Sequence, residues 1–193
     1  MKKLVFCFLC IVGVTMFMGS CKSKQTKEAF NDSIQGTFFG VSFGANEEEV
    51  IKKFAGQDLM PNVFISTKET LVFQPLGGKR FTFGGLSWEN LNVCLSNDKF
   101  YGIIFYNALK DKAEAIISGQ TLYESVSAKY QMAKEEPKDT TTYLFYRGKS
   151  KNEPEREVIV HVSRYEGMDK TIYYGTFLQY VDEAFETKVS DEL

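Results

Sequence analysis

Two segments with helical periodicity, each followed by a series of strand-like runs, constrain this chain more than any other feature of its 193 residues. The first spans residues 47–55. Asn46 stands before it as an N-cap, Glu49 follows at capping-box spacing, and Glu47, Glu48 and Glu49 suit the positive end of a helix dipole. Val50, Ile51 and Phe54 form its apolar face, Gly56 is placed to stop it, and Pro61 lies beyond. The second spans residues 111–132. Leu109, Ala113, Ile116, Ile117, Tyr123, Val126 and Tyr130 recur there at roughly helical spacing. Gly119 interrupts that pattern at a cost of ~1 kcal/mol relative to Ala and marks a candidate kink.

Around these segments the hydrophobic period drops to two. Short strands are expected at 37–43, 63–65, 71–73 and 80–83, with residues 67–69 as a polar hairpin connection. A longer strand at 86–95 carries Leu86, Trp88, Asn90, Asn92 and Cys94 on one face. The run 100–106 is almost continuously apolar, which suits a central strand covered on much of both faces. Three strands close the chain at 143–146, 157–164 and 171–181. The middle one sets Val158, Val160 and Val162 against Glu157, His161 and Ser163. Each helix can bury its stripe only against a sheet, so the expected fold class is α+β. Two helices pack on one face of a curved antiparallel sheet, and the order of a helix followed by a meander occurs twice.

The first twenty residues stand outside this pattern. Lys2 and Lys3 precede an apolar run, residues 4–17, of signal-peptide length. A membrane-spanning helix needs ~18–20 apolar residues, and this run gives way to Gly19 and Ser20. Met18-Gly19-Ser20-Cys21 resembles the lipobox of bacterial lipoproteins, in which small residues precede an acylated cysteine. The resemblance implies cleavage before Cys21, a lipid anchor on Cys21, and residence on the periplasmic side of an envelope membrane; of the two membranes, the outer one, facing the periplasm, is the expected location. The expected organisation is a signal peptide at 1–20, a flexible tether at 21–33, one α+β domain at 34–182 and an acidic tail at 183–193.

Cleavage removes Lys2 and Lys3 and no acids, which leaves 21 basic against 25 acidic side chains. Lys22, Lys24 and Lys27 crowd the tether, so the head beyond them is acidic. A dedicated nucleic-acid binder needs a clustered basic excess, and this head lacks one. Cys7 and Cys10 leave with the signal and Cys21 carries acyl chains, so Cys94 can form no intramolecular disulfide. Cys94 reads as a buried, inert thiol.

Phe43-Gly44-Ala45-Asn46-Glu47-Glu48-Glu49-Val50, with Phe54-Ala55-Gly56 and Pro61 behind it, resembles a helix start in small envelope lipoproteins of the outer-membrane assembly type. It is also similar to the β-lactamase inhibitory protein, which stacks two helix-plus-meander repeats on one sheet. The match covers roughly 20 residues, and such a pattern encodes a cap and a stop. It implies a protein that binds other proteins with the open face of its sheet.

Catalytic signals are weak. His161 is the single histidine, no Gly-x-Ser-x-Gly elbow accompanies it, and a strand position outweighs a general-base role. One histidine also excludes multi-His zinc sites. Glu153, Glu155 and Glu157 alternate as three oxygen ligands would, but Pro154 and Arg156 between them suit a solvated hairpin flank better. Gly77-Gly78-Lys79-Arg80 lacks the spacing of a P-loop and feeds Phe81-Thr82-Phe83, so it reads as a turn. Neither a metal nor a cofactor is expected.

Aromatic residues make up 15% of the chain and gather in the strand segments. Phe81, Phe83 and Trp88 surround Gly84-Gly85, while Tyr143, Tyr146, Tyr173, Tyr174 and Tyr180 decorate the late strands. On a sheet face without helices, Tyr and Trp form a rigid recognition surface. Trp88 and Tyr174 are the residues expected there. The leading functional expectation is a non-enzymatic, lipid-anchored envelope protein that binds another protein through this face. A glycan- or small-molecule-binding lipoprotein comes second. A hydrolase with dispersed carboxylates comes third.

Overall fold

The computed structural model describes residues 33–130, 132–135, 142–149, 152–167 and 169–186. The expected signal peptide, Cys21 and the tether up to residue 32 lie outside the described residues, as do residues 187–193 of the acidic tail.

The elements follow in the order β1 (Thr37–Phe38), β2 (Val41–Ser42), α1 (Glu47–Ala55), β3 (Leu59–Pro61), β4 (Thr70–Pro75), β5 (Phe81–Phe83), β6 (Leu86–Trp88), β7 (Asn90–Ser96), β8 (Lys99–Leu109), α2 (Lys112–Ser127), β9 (Met132–Glu135), β10 (Thr142–Lys149), β11 (Arg156–Glu166) and β12 (Ile172–Asp182). Eight strands form one antiparallel sheet in the order β3-β4-β7-β8-β12-β11-β10-β9. Helix plus four-strand meander therefore occurs twice: α1 with β3, β4, β7 and β8, then α2 with β9, β10, β11 and β12. The last strands of the two meanders, β8 and β12, pair at the centre, Tyr106 opposite Phe177.

Both helices lie on the same face. Val50 and Phe54 of α1 and Ala115, Leu122 and Val126 of α2 join one buried cluster with Phe73, Leu91, Val93, Ile103, Phe105, Val158, Val160, Val162 and Leu178. The Asn46 side chain accepts a hydrogen bond from Glu49 N at 2.9 Å, and Asp111 caps α2 by accepting from Glu114 N at 2.7 Å. Between the helices, two hairpins cover the centre of the sheet. Phe38 of β1 lies 5.0 Å from Tyr180, and Phe83 of β5 stacks on Phe105 at 4.2 Å with 5° between the rings.

Several local expectations change. Residues 37–43 form a hairpin, turned by Phe39 and Gly40 at φ 51 and 79. Gly56 keeps a right-handed helical conformation, and the left-handed residue that reverses the chain is Asp58 at φ 58. Residues 63–65 are no strand: β4 pairs instead with β3, and Val63, Phe64 and Ile65 stand exposed in the connection. Helix α2 stops at Ser127 with Ala128 as its C-cap, and Met132 starts β9, a strand that sequence periodicity missed. Gly119 lies on the buried stripe of α2 and the helix runs through it, while Ile117 faces solvent.

The expected strand at 86–95 is two strands broken at Glu89, whose N–H is held by Asn107 Oδ1 at 2.9 Å. That break separates Trp88 from the face that carries Asn90, Asn92 and Cys94. Strand β8 contains a bulge: Cys94 pairs with Gly102 and Leu95 with Phe100, so Tyr101 is the extra residue. The bulge lets Phe100 and Ile103, three positions apart, both face the helices.

Candidate functional site

The face of the sheet opposite the helices is the most distinctive surface of the molecule. Ile104 and Tyr106 of β8, Phe177 and Gln179 of β12 and His161 of β11 alternate with the core residues and so point the other way. None of them belongs to the helix-side core cluster. Among the described residues, no helix packs on this side. Among the described residues, helices thus cover the central β8 on one face, not on both.

Strand register places three rings in a row across the centre. Tyr106 opposes Phe177 with centroids 5.6 Å apart and 21° between planes, and Phe177 opposes His161 at 4.6 Å and 12°. Tyr165 and Tyr173 stack two rows further on, beyond the Ser163–Gly175 pair, at 5.8 Å and 22°. The Phe177 ring leans over Gly175, where a Cβ would meet it at 2.2 Å. Glycine at that position therefore lets the ring lie flat along the sheet.

The row is free of charge. Burial holds the His161 imidazole down at about 4, so it is neutral at pH 7. Burial likewise raises the Tyr106 phenol above its ordinary value. Nearby, Asn92 Oδ1 is buried and accepts no hydrogen bond from any described residue. Such an orphaned acceptor costs ~1–3 kcal/mol until a donor reaches it.

Trp88 does not face outward: it is 1% exposed, and its Nε1 donates to Phe83 O at 3.0 Å. The physical reason is the break at Glu89, which turns the indole into the core beside Phe105. Tyr174 is half-buried on the helix side, packed against the core cluster, and its neighbour Tyr173 faces the open side. Tyr180 points into the core as well. The side chains of Tyr143 and Tyr146, and all of Cys21, lie outside those described.

Sequence reading missed Tyr106, Phe177 and Tyr165. Their signal was available in the alternation against Phe105, Leu178 and the β11 valines.

The remaining candidates disperse. Glu153 pairs with Arg156, which also donates to the buried Asp182 at 2.7 Å, so Glu153 belongs to a structural ion-pair network, while Glu157 is buried in β11. Cys94 sits on the open face, half-buried, with its thiol pushed up to about 11 by burial and the charge of Glu186. The Gly77-Gly78 turn places both glycines at positive φ and feeds β5. No three His, Cys, Asp or Glu side chains gather as a metal site among the described residues.

No family model, curated protein or solved structure matches this chain.

Proposed function

We propose that this chain is a non-enzymatic, lipid-anchored envelope protein that binds another protein through the open face of its sheet. The observation that carries the reading is the charge-free aromatic row Tyr106, Phe177 and His161, flanked by Tyr165 and Tyr173. Protein interfaces concentrate aromatics at a centre depleted of charge, because rigid rings bury much area for little lost side-chain entropy. The rings here are already held by stacking, so little ordering remains to be done on binding.

The test is crosslinking in intact cells followed by mass spectrometry of what is captured. One reproducible partner, crosslinked through β11 or β12 and lost in a Tyr165→Ala/Tyr173→Ala variant, is the expected outcome. Capture of nothing beyond abundant neighbours counts against it. The stacked Tyr165 and Tyr173 pair also suits the apolar face of a sugar ring, which favours a glycan as the second reading. Thermal stabilisation by a soluble glycan, abolished in the same variant, selects that reading instead.

A further inference from the structure

Seven large hydrophobic side chains stand exposed among the described residues, and four of them fall between positions 60 and 65: Met60, Val63, Phe64 and Ile65. Phe64 is 94% exposed and Val63 is 74% exposed. This connection between β3 and β4 is held firmly from beneath. Asn62 N donates to Val72 O at 2.7 Å, and Asn62 O accepts from Ser66 N at 3.0 Å and Ser66 Oγ at 2.8 Å. Phe64 N donates to Asn62 Oδ1 at 3.1 Å, and Val72 N donates to Ser66 Oγ at 3.0 Å. Polar side chains thus close the base of the turn, and three consecutive apolar ones form its tip.

The tip and the N-terminal tether meet the domain at the same end of the sheet. The ladder row at that end runs from Thr70 through Cys94 and Gly102 to Val181 and Glu157. Thr70 follows the apolar connection. At the other side of the row Arg156 packs against Gly36, where a Cβ would stand 2.8 Å from its guanidinium carbon, and Ile34 is buried just before it. The chain therefore enters the fold at the end from which Val63, Phe64 and Ile65 project. Twelve Cα-to-Cα steps separate Cys21 from Ser33, a reach of at most about 40 Å.

We propose that Val63, Phe64 and Ile65 dip into the headgroup–acyl boundary of the membrane that holds the chain. This rests on the lipid-anchor part of the functional reading. A tether alone leaves the head free to tumble, whereas a second, apolar contact at the same end stands the strands away from the bilayer. The open aromatic face is then turned sideways, where a neighbouring envelope protein can reach it. Lys68 and Lys99 stand among the exposed Glu69, Asp98, Glu183 and Glu186 at this end, which gives it no basic excess, so the contact is apolar, needs no anionic lipid and survives added salt.

The test uses the full chain as the cell processes it, reconstituted in phosphatidylethanolamine–phosphatidylcholine vesicles with brominated acyl chains. Wild type reports only from Trp88, which is buried in the core and serves as the unquenched reference. The Phe64→Trp variant is expected to add emission that is blue-shifted, quenched by the bromolipid and unchanged by salt, and Ile65→Trp to behave alike. Vesicle flotation with no added quenching in either variant overturns the tip contact and leaves the anchor standing. Failure of wild type to float overturns the anchor and the contact together. A blue shift that requires a captured protein, and not lipid, overturns the membrane assignment. Partner capture through Tyr165 and Tyr173 is read separately, so loss of either result identifies which proposal failed.

Discussion

His161 on β11 and Phe177 on β12 oppose each other directly in the ladder, and their rings stack 4.6 Å apart with 12° between planes. Burial there lowers the imidazole from 6.5 to about 4. The unfolded chain therefore takes up a proton that the folded one refuses as pH falls. Stability is unaffected above about 6.5, declines between 6.5 and 4, and levels off below, for a total of up to about 3 kcal/mol. Urea denaturation at pH 7 and pH 4.5 is expected to show that decline in wild type and a shallower one in His161→Phe, which keeps a ring on Phe177. Equal slopes would acquit His161.

Gly175 tests whether the flat ring matters for recognition. A methyl at this position meets Phe177 at 2.2 Å, so Gly175→Ala must tilt or displace the ring. Overpacking of this kind costs typically ~1–3 kcal/mol. The variant is expected to fold, to melt earlier, and to lose partner capture by more than its stability loss explains. Capture at the wild-type level, in a variant shown to be folded, would separate Phe177 from the interface.

Much of the architecture was legible because it rests on periodicity. Asn46, Asp111, the β11 valines and the apolar β8 all produce local signals, and the tandem order of helix and meander follows from them. Face assignment failed where a single residue changed the parity. Glu89 breaks the expected long strand, and its N–H bonds Asn107, eighteen positions away, so nothing local announces the break. Trp88 went to the wrong face for that reason. Tyr174 went wrong more simply, since Tyr173 and Tyr174 are adjacent and only the register against β8 tells them apart. Val63, Phe64 and Ile65 look like a strand in composition. The hydrogen bonds of Asn62 and Ser66 hold them outside the sheet.

Cys94 offers a count of thiols. With its pKa raised to about 11, roughly one molecule in a thousand carries the thiolate at pH 8. Native processed protein is expected to react slowly with a thiol-exchange reagent at that pH. Unfolding in urea exposes Cys94 and should release one fast equivalent. Two fast equivalents would mean that Cys21 is free and the lipid anchor is absent.

Trp88 and Tyr106 separate folding from binding. Trp88 is fully buried, bonded through its indole N–H to Phe83 O, and packed 5.7 Å from Phe105. Trp88→Ala leaves a large cavity at the centre of the helix-side core and is expected to cost ~3–5 kcal/mol. Whatever capture it loses follows from unfolding and should return under stabilising osmolyte. Tyr106 is half-buried on the open side and stacks on Phe177. Tyr106→Ala forfeits only part of a burial and a stacking contact worth ~0.5–1.5 kcal/mol, so its melting curve should lie close to wild type. Its loss of capture should persist in osmolyte, because the missing ring belongs to the proposed interface rather than to the core. The opposite pattern, with Trp88→Ala folded but unable to capture and Tyr106→Ala fully competent, would move the interface to the helix side of the sheet.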